Sequence, residues 1–260
     1  GQLVLPHLGG MKLSDVTPIA VERMLFKLKE SRRFPAYKIL RQILSKAVKV
    51  GAVATNACKA VDVPKRSAYR PVTLTAKQAA AYISHFRGTE SEKAVLLALG
   101  GGFRRSELCA LEWGDLADDG TVSVTHALTV AYNVPHDDAP KTPFSERKVH
   151  LPSGISRRLN ELRPESNEGT IVSSDGLPVH PEAVSKKYRA EQKGLPEGVP
   201  RIPLKDLRHT SLTLTLESGA DILAVSRRAG HANISITSAY YLRPHEHVDV
   251  SAAEGLDSAL

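Results

Sequence analysis

The chain has 260 residues, 42% of them hydrophobic, and 35 Lys and Arg against 28 Asp and Glu, a formal net charge of +7. That length allows two domains with a sizeable core, and the absence of any run of eighteen apolar residues excludes a membrane-spanning helix and leads us to expect no membrane partner. Cys58 and Cys109 lie far apart and outside any metal-ligand spacing, which argues against a disulfide framework or a zinc site and suits a reducing cytoplasm.

The charge is unevenly spread. Residues 1–66 hold 13 Lys and Arg against 4 Asp and Glu, whereas residues 67–260 hold 22 against 24. A helical segment so rich in cations is an electrostatic footprint for a polyphosphate, and points to nucleic acid as the partner.

In chain order, Thr17 and Pro18 supply an N-cap and a first helical position for an amphipathic helix to about residue 30, with Ile19, Met24, Leu25 and Leu28 toward a core. A second helix is predicted from about residue 35 to 50. Ile39, Leu40, Ile43, Leu44, Ala47 and Val48 recur in it at helical spacing, and Lys38, Arg41, Lys46 and Lys49 occupy other faces. Residues 63–71, which include Lys65 and Arg66, are polar, basic and Pro-bounded, as a linker is. Thr75 and Gln78 then form a capping box that opens the next helix.

The run 99–108, LGGGFRRSEL, sets glycines that permit a sharp turn before Arg104, with Glu107 one helical turn on and able to orient it. Residues 121–130 alternate as a strand, and 139–152 read as a hairpin turn carrying Lys141 with a returning strand. Helices follow at 153–163 and 181–192; Lys186, Lys187 and Arg189 give the second a phosphate-facing side. Between Pro203 and Pro244, residues 210–216 read as helical, Gly219 is a stop, Asp221 caps the segment ILAVSRRA and Gly230 stands at its C′ position. A third short helix is expected to carry Ile234, Thr237, Tyr240 and Tyr241. Lys205 and Arg208 stand three apart at the mouth of the first of these helices, where both can point at one anion beside unpaired backbone N–H groups.

Arg208-His209-Thr210, Ala229-Gly230-His231 and Tyr240, nine residues after that His, resemble the C-terminal boxes of the tyrosine recombinases, also called the phage-integrase family. Residues 101–108 are similar to the family's Thr-Gly-Leu-Arg-x-Ser-Glu-Leu, and residues 141–152 to its Lys-Thr-x-x-Ser-x-Arg-x-Val-x-Leu-Pro. The basic helical segment resembles the later part of a core-binding domain, with Asn56-Ala57 where the family usually has Asn-Pro.

The resemblance implies a mainly α fold with a small antiparallel β-sheet, an α+β class. It implies a partial helical DNA-binding domain at 1–66 in a longer protein, a linker at 67–71, a catalytic domain at 72–243 and a tail at 244–260 that is either a frayed terminus or an arm exchanged between protomers. It implies Tyr240, rather than Tyr241, as the nucleophile that forms a 3′-phosphotyrosyl link, without metal, nucleotide or other cofactor. Arg104, Arg208 and Lys205 would hold the phosphate, Lys141 would protonate the leaving oxygen, and His231 would bond the phosphate or the phenol. Glu107 and His209 would support them. Arg41, Lys46, Lys49, Lys65, Arg66, Lys186, Lys187 and Arg189 would contact DNA. Lys205 is a departure, because most recombinases carry His there. Expected partners are double-stranded DNA attachment sites, a homo-tetramer on two sites and accessory DNA-bending proteins, at the nucleoid of a bacterial cytoplasm. The alternatives are a type IB topoisomerase and a catalytically silent DNA-binding relative.

Overall fold

The computed structural model of the protein describes residues 2–66, 69–131, 134–138, 146–231 and 233–235. The chain divides into two compact units, Gly1–Arg70 and Pro71–Leu260.

The first unit contains α1 (Leu5–Leu8), α2 (Pro18–Lys27) and α3 (Glu30–Lys49). Thr17 caps α2 by accepting from the Ala20 amide, with Pro18 at its first position. Val21, Met24 and Leu25 of α2 meet Ala36, Tyr37, Leu40 and Leu44 of α3 in one core. The expected face is only partly right: Ile19 is 61% exposed, and Ile39, Ile43 and Val48 also face solvent. Tyr37 explains the rotation, since its hydroxyl reaches the buried carbonyl of Cys58 (3.0 Å) and brings inward the side that carries Ala36 and Leu40. α3 also begins at Glu30 rather than near Pro35. Pro35 withholds an amide from the carbonyl of Ser31 alone, near the start of the helix, and Ser31 is an exposed residue, so the lost bond is not a buried one. Asn56 is buried, bonding the Cys58 amide (3.0 Å), the Arg41 carbonyl (2.9 Å) and Ser45 (2.8 Å).

The second unit runs through α4 (Ala76–Phe86), α5 (Glu92–Gly101), α6 (Arg105–Ala110), β1 (Thr121–Val124), β2 (Ala127–Ala131), β3 (Val134–Asp138), β4 (Arg147–His150), α7 (Ser153–Glu161), α8 (Pro181–Glu191), α9 (Leu204–Glu217) and α10 (Ile222–Ala229). It is the expected mainly helical α+β class, with two two-stranded antiparallel sheets among the described residues. The Thr75–Gln78 capping box forms as predicted. α5 is apolar on every side and buried from Ala94 to Gly101, as a core helix must be, and it packs against α4, α7 and α9. Stacked rings of Tyr82, Phe86 and Tyr188, 5.8 and 5.2 Å apart, join α4 to α8.

The single strand expected over 121–130 is two strands in two sheets. β1 pairs with β4, Val122 opposite Val149, and β2 pairs with β3. The break falls at Thr125 and His126, where the imidazole Nε2 lies 2.9 Å from the Ala110 carbonyl and the chain changes partner. β3 has no strand signal in the sequence because it carries Pro135, which is tolerated where a strand has one neighbour only. Among the described residues no helix is long and apolar enough to cross a membrane.

α9 is tied to the start of its unit by two buried side chains. Asp206 Oδ2 accepts from the Val72 amide (3.2 Å), and Thr210 Oγ1 accepts from the Leu74 amide (3.1 Å) while donating to the Asp206 carbonyl (3.0 Å). Thr210→Val keeps the shape and leaves the buried Leu74 amide unpaired. It is expected to cost about 1–3 kcal/mol, measured by urea unfolding monitored at Trp113.

Candidate active site

α5 ends at Gly102, whose φ of 64° and amide bond to the Ala98 carbonyl make a left-handed cap. The turn delivers Arg104 to the start of α6, where Glu107 Oε2 accepts its amide (2.9 Å) and Glu107 Oε1 accepts its Nη1 (2.7 Å). Arg104 Nη2 donates to the Gly230 carbonyl (2.7 Å).

The same carboxylate takes a second guanidinium. Arg147, the first residue of β4, gives Nη2 to Glu107 Oε2 (2.8 Å) and Nη1 to Oε1 (3.2 Å), and its Nε donates to the Arg228 carbonyl (2.7 Å). The Glu107 side chain is 4% exposed and that of Arg147 is 7% exposed. Burial alone would raise the Glu107 pKa. The bonds and charge of Arg147, then the charge and amide of Arg104, outweigh it and hold the carboxyl at about 2.

Arg208, in the second turn of α9, is buried and points away from solvent. Its Nη1 donates to the Gly102 carbonyl (2.5 Å), and its Nη2 to the Ala229 carbonyl (2.7 Å) and to His231 Nε2 (3.0 Å). A guanidinium has no acceptor, so His231 Nε2 carries the lone pair and Nδ1 the proton. Burial, then the charges of Arg208, Arg104 and Arg147, push the His231 pKa down to about 4. Gly230 makes this convergence possible. Asp221 caps α10 by accepting from the Leu223 and Ala224 amides, and Gly230 closes it at φ 62°. A Cβ there would sit 2.9 Å from Arg147 Nη1 and 3.3 Å from Arg104 Nη1.

Arg104, Glu107, Arg208 and His231 are therefore one cluster. His209 is half-buried beside Arg208; burial lowers its pKa, Asp206 opposes this, and Arg208 and Lys205 reinforce it. Lys205 is exposed and lines a neighbouring open cleft of about 580 Å³ with Arg105, Arg189 and Arg201. Lys141 and Tyr240 lie outside the described residues, as do Thr237 and Tyr241. Of the basic residues on α8, Arg189 joins that cleft, Lys186 is exposed, and Lys187 pairs with Glu90 and lines a different pocket. On α3, Lys46 and Lys49 are exposed on the side away from the buried Leu40, Leu44 and Ala47, Arg41 is exposed at the flank of that buried stripe, and Lys65 and Arg66 are exposed too.

Two residues of the cluster escaped the sequence reading. Arg147 was visible as one position of the 141–152 motif, with nothing to show that its side chain turns inward. Arg228 had no signal at all. Its Nη1 donates to the His150 carbonyl (2.9 Å) and its Nη2 to the Gly100 carbonyl, so α10 is fastened to β4 and to α5.

The sequence profile of the phage integrase family matches residues 73–247. The chain is 26% identical over 281 residues to an integrase of Streptomyces ambofaciens, covering 98% of this chain and 71% of that protein. It is 28% identical over 234 residues to the tyrosine recombinase XerC of Xylella fastidiosa, covering 83% and 73%. In fold it is similar to a lambda integrase tetramer bound to a Holliday junction, with a TM-score of 0.65 at 20% identity over 90% of this chain and 68% of that one.

Two outcomes test the cluster. Gly230→Ala forces a Cβ into a left-handed position against two guanidinium groups and is expected to destabilise the protein by at least about 1–2 kcal/mol, read by chemical denaturation. Glu107 ionises far more readily when folded than when unfolded, so its contribution is complete above about pH 4.5 and is lost as pH falls toward 2. Glu107→Gln should cost about 3 kcal/mol at pH 7 and flatten the acid limb of the stability curve.

Proposed function

The chain belongs to the phage integrase family and is a site-specific recombinase of the tyrosine type, and we propose that it cleaves and rejoins DNA with the cluster around Glu107 as its phosphate site. The observation that supports this is the meeting of Arg104, Arg208 and His231 from three separate elements within hydrogen-bonding distance of one another or of adjacent carbonyls. In this reading Tyr240 Oη attacks the phosphorus and makes a 3′-phosphotyrosyl ester as the bond to the 5′-oxygen breaks. Arg104 and Arg208 hold the non-bridging oxygens and balance the charge of the pentacoordinate state. Lys141 gives the departing 5′-oxygen its proton, and attack by a 5′-hydroxyl of another strand runs the same steps in reverse.

A phenol with a reference pKa of about 10 needs help to react at neutral pH. His231 is neutral, and the lone pair on its Nε2 accepts from Arg208 Nη2, so it takes the phenolic proton only by exchanging that bond, and otherwise water takes it. Lys205 can only donate, and serves as a clamp at the edge of the site.

Residues 1–66 would act as a partial core-binding domain, 67–71 as linker and 72–243 as the catalytic domain, with the tail at 244–260 frayed or exchanged between protomers. Arg41, Lys46, Lys49, Lys65, Arg66, Lys186 and Arg189 would contact backbone phosphates of double-stranded attachment sites. Lys187, held by Glu90, is a weaker candidate. The tetramer of lambda integrase on a Holliday junction supports a homo-tetramer on DNA; two attachment sites, DNA-bending proteins and a place at the nucleoid are further parts of this proposal. Similarity to integrases and recombinases does not favour a relaxing topoisomerase or a silent relative.

Strand exchange between two labelled duplexes is the deciding assay; supercoil relaxation without exchange would refute the recombinase reading. Tyr240→Phe is expected to bind DNA and give no covalent adduct on a nicked suicide duplex; adduct formation by it, with loss in Tyr241→Phe, would move the nucleophile by one residue. Because His231 titrates near 4, single-turnover cleavage between about pH 5.5 and 8 should show no imidazole limb, whereas Lys205→His should gain one near pH 6 to 7. Lys205→Ala should cleave about 10²- to 10³-fold more slowly.

A further inference from the structure

We propose that Arg147 is a positioning residue for the recombination reaction, acting through Glu107 to aim Arg104. This rests on the reading of Arg104 as a phosphate ligand. Arg104 and Glu107 lie three residues apart at the start of one helix, so the bonds between them restrict rotamers and move with α6 as a body. They do not locate α6 relative to the rest of the site. Arg147 does. Its fork engages both oxygens of Glu107 from β4, and its Nε engages the Arg228 carbonyl at the end of α10. Three elements are thus tied through one guanidinium, which also lies 6.0 Å from the Phe103 ring, next to the turn that carries Arg104. Glu107 receives four donors: the amide and Nη1 of Arg104, and Nη1 and Nη2 of Arg147. Without Arg147 two of the four are lost, and with them the tie from Glu107 to β4, leaving only the bond of Arg104 Nη2 to the Gly230 carbonyl to reach another element.

The geometry also separates Arg147 from direct contact with substrate. Its side chain is 7% exposed and its Nε, Nη1 and Nη2 all face protein acceptors, whereas the Arg104 side chain is 36% exposed; Arg208 is buried as well, so burial sets Arg147 apart from Arg104 alone, and it is the bond of Arg147 to Glu107 that gives it a positioning role. A reaction held together by orientation loses about 10²-fold for a misplacement near 1 Å, and the loss should appear in the cleavage step rather than in DNA affinity.

The experiment measures DNA affinity and single-turnover cleavage of a suicide duplex for Arg147→Met, Glu107→Gln and the double variant, with Arg104→Ala as a separate arm. Arg147→Met should bind DNA as the parent does and cleave about 10²-fold more slowly, and in the Glu107→Gln background it should cause no further loss. Should Arg147→Met fail to fold, Arg147→Lys keeps the charge without the fork and should show the same split between affinity and rate. Parent-like cleavage, a loss of affinity that accounts for the lost rate, or a full additional loss in the Glu107→Gln background would each overturn the proposal. Parent-like cleavage by Arg104→Ala would instead remove the phosphate-ligand reading on which it rests.

Discussion

Glu107 is the one buried anion among the described groups of the cluster, and it is shared by two guanidinium groups while a third, Arg208, lies on the other side of the Ala229-Gly230-His231 turn. Buried charges are costly unless paired and fully hydrogen-bonded, and with Arg228 counted one carboxylate balances only one of four cations. Burial first, and then the remaining positive charge, depresses the basicity of His231. In the function proposed here, that excess is what a phosphate entering the pentacoordinate state would neutralise, so the cluster is complementary to a developing negative charge.

Much of what holds these cations is backbone. The Gly102 carbonyl accepts from Arg208 and the Gly100 carbonyl from Arg228, both at the end of α5. At the end of α10, the carbonyls of Arg228, Ala229 and Gly230 accept from Arg147, Arg208 and Arg104. The last carbonyls of a helix lack partners within it, and its C-terminus is the negative end of the dipole. Two helices end against the same group of arginines, each in a left-handed glycine that turns the chain away and leaves these oxygens facing inward. The arginines therefore cap the helices while the helices aim the arginines. Stability and site geometry rest on the same bonds here.

That arrangement depends on α5 being held centrally. Its all-apolar surface is surrounded by α4, α7 and α9, and its C-terminal turn is thereby fixed relative to Arg208 on α9. Asp206 and Thr210, on the same helix as Arg208, reach back to Val72 and Leu74. The opening residues of the unit thus brace the helix that carries a site arginine, although more than a hundred residues separate them.

The sequence alone determined what local chemistry can encode: the caps at Thr17, Thr75 and Asp221, the left-handed glycine at Gly230, the helical class, and the pairing of Arg104 with Glu107 one turn away. Each depends on residues within a few positions of one another. It also marked Arg208 and His231 through motif spacing. Only the tertiary structure decided which face of α3 is buried, because Ile39 and Leu40 are equally apolar and Tyr37 needs an acceptor twenty-one residues away. Only it split residues 121–130 between two sheets, since pairing partners lie outside the segment. Only it turned Arg147 and Arg228 inward, while pairing Lys187 with Glu90. A basic residue on an amphipathic element reads the same whether it faces solvent, a carboxylate or a carbonyl, and the acceptors that settle the matter come from distant parts of the chain.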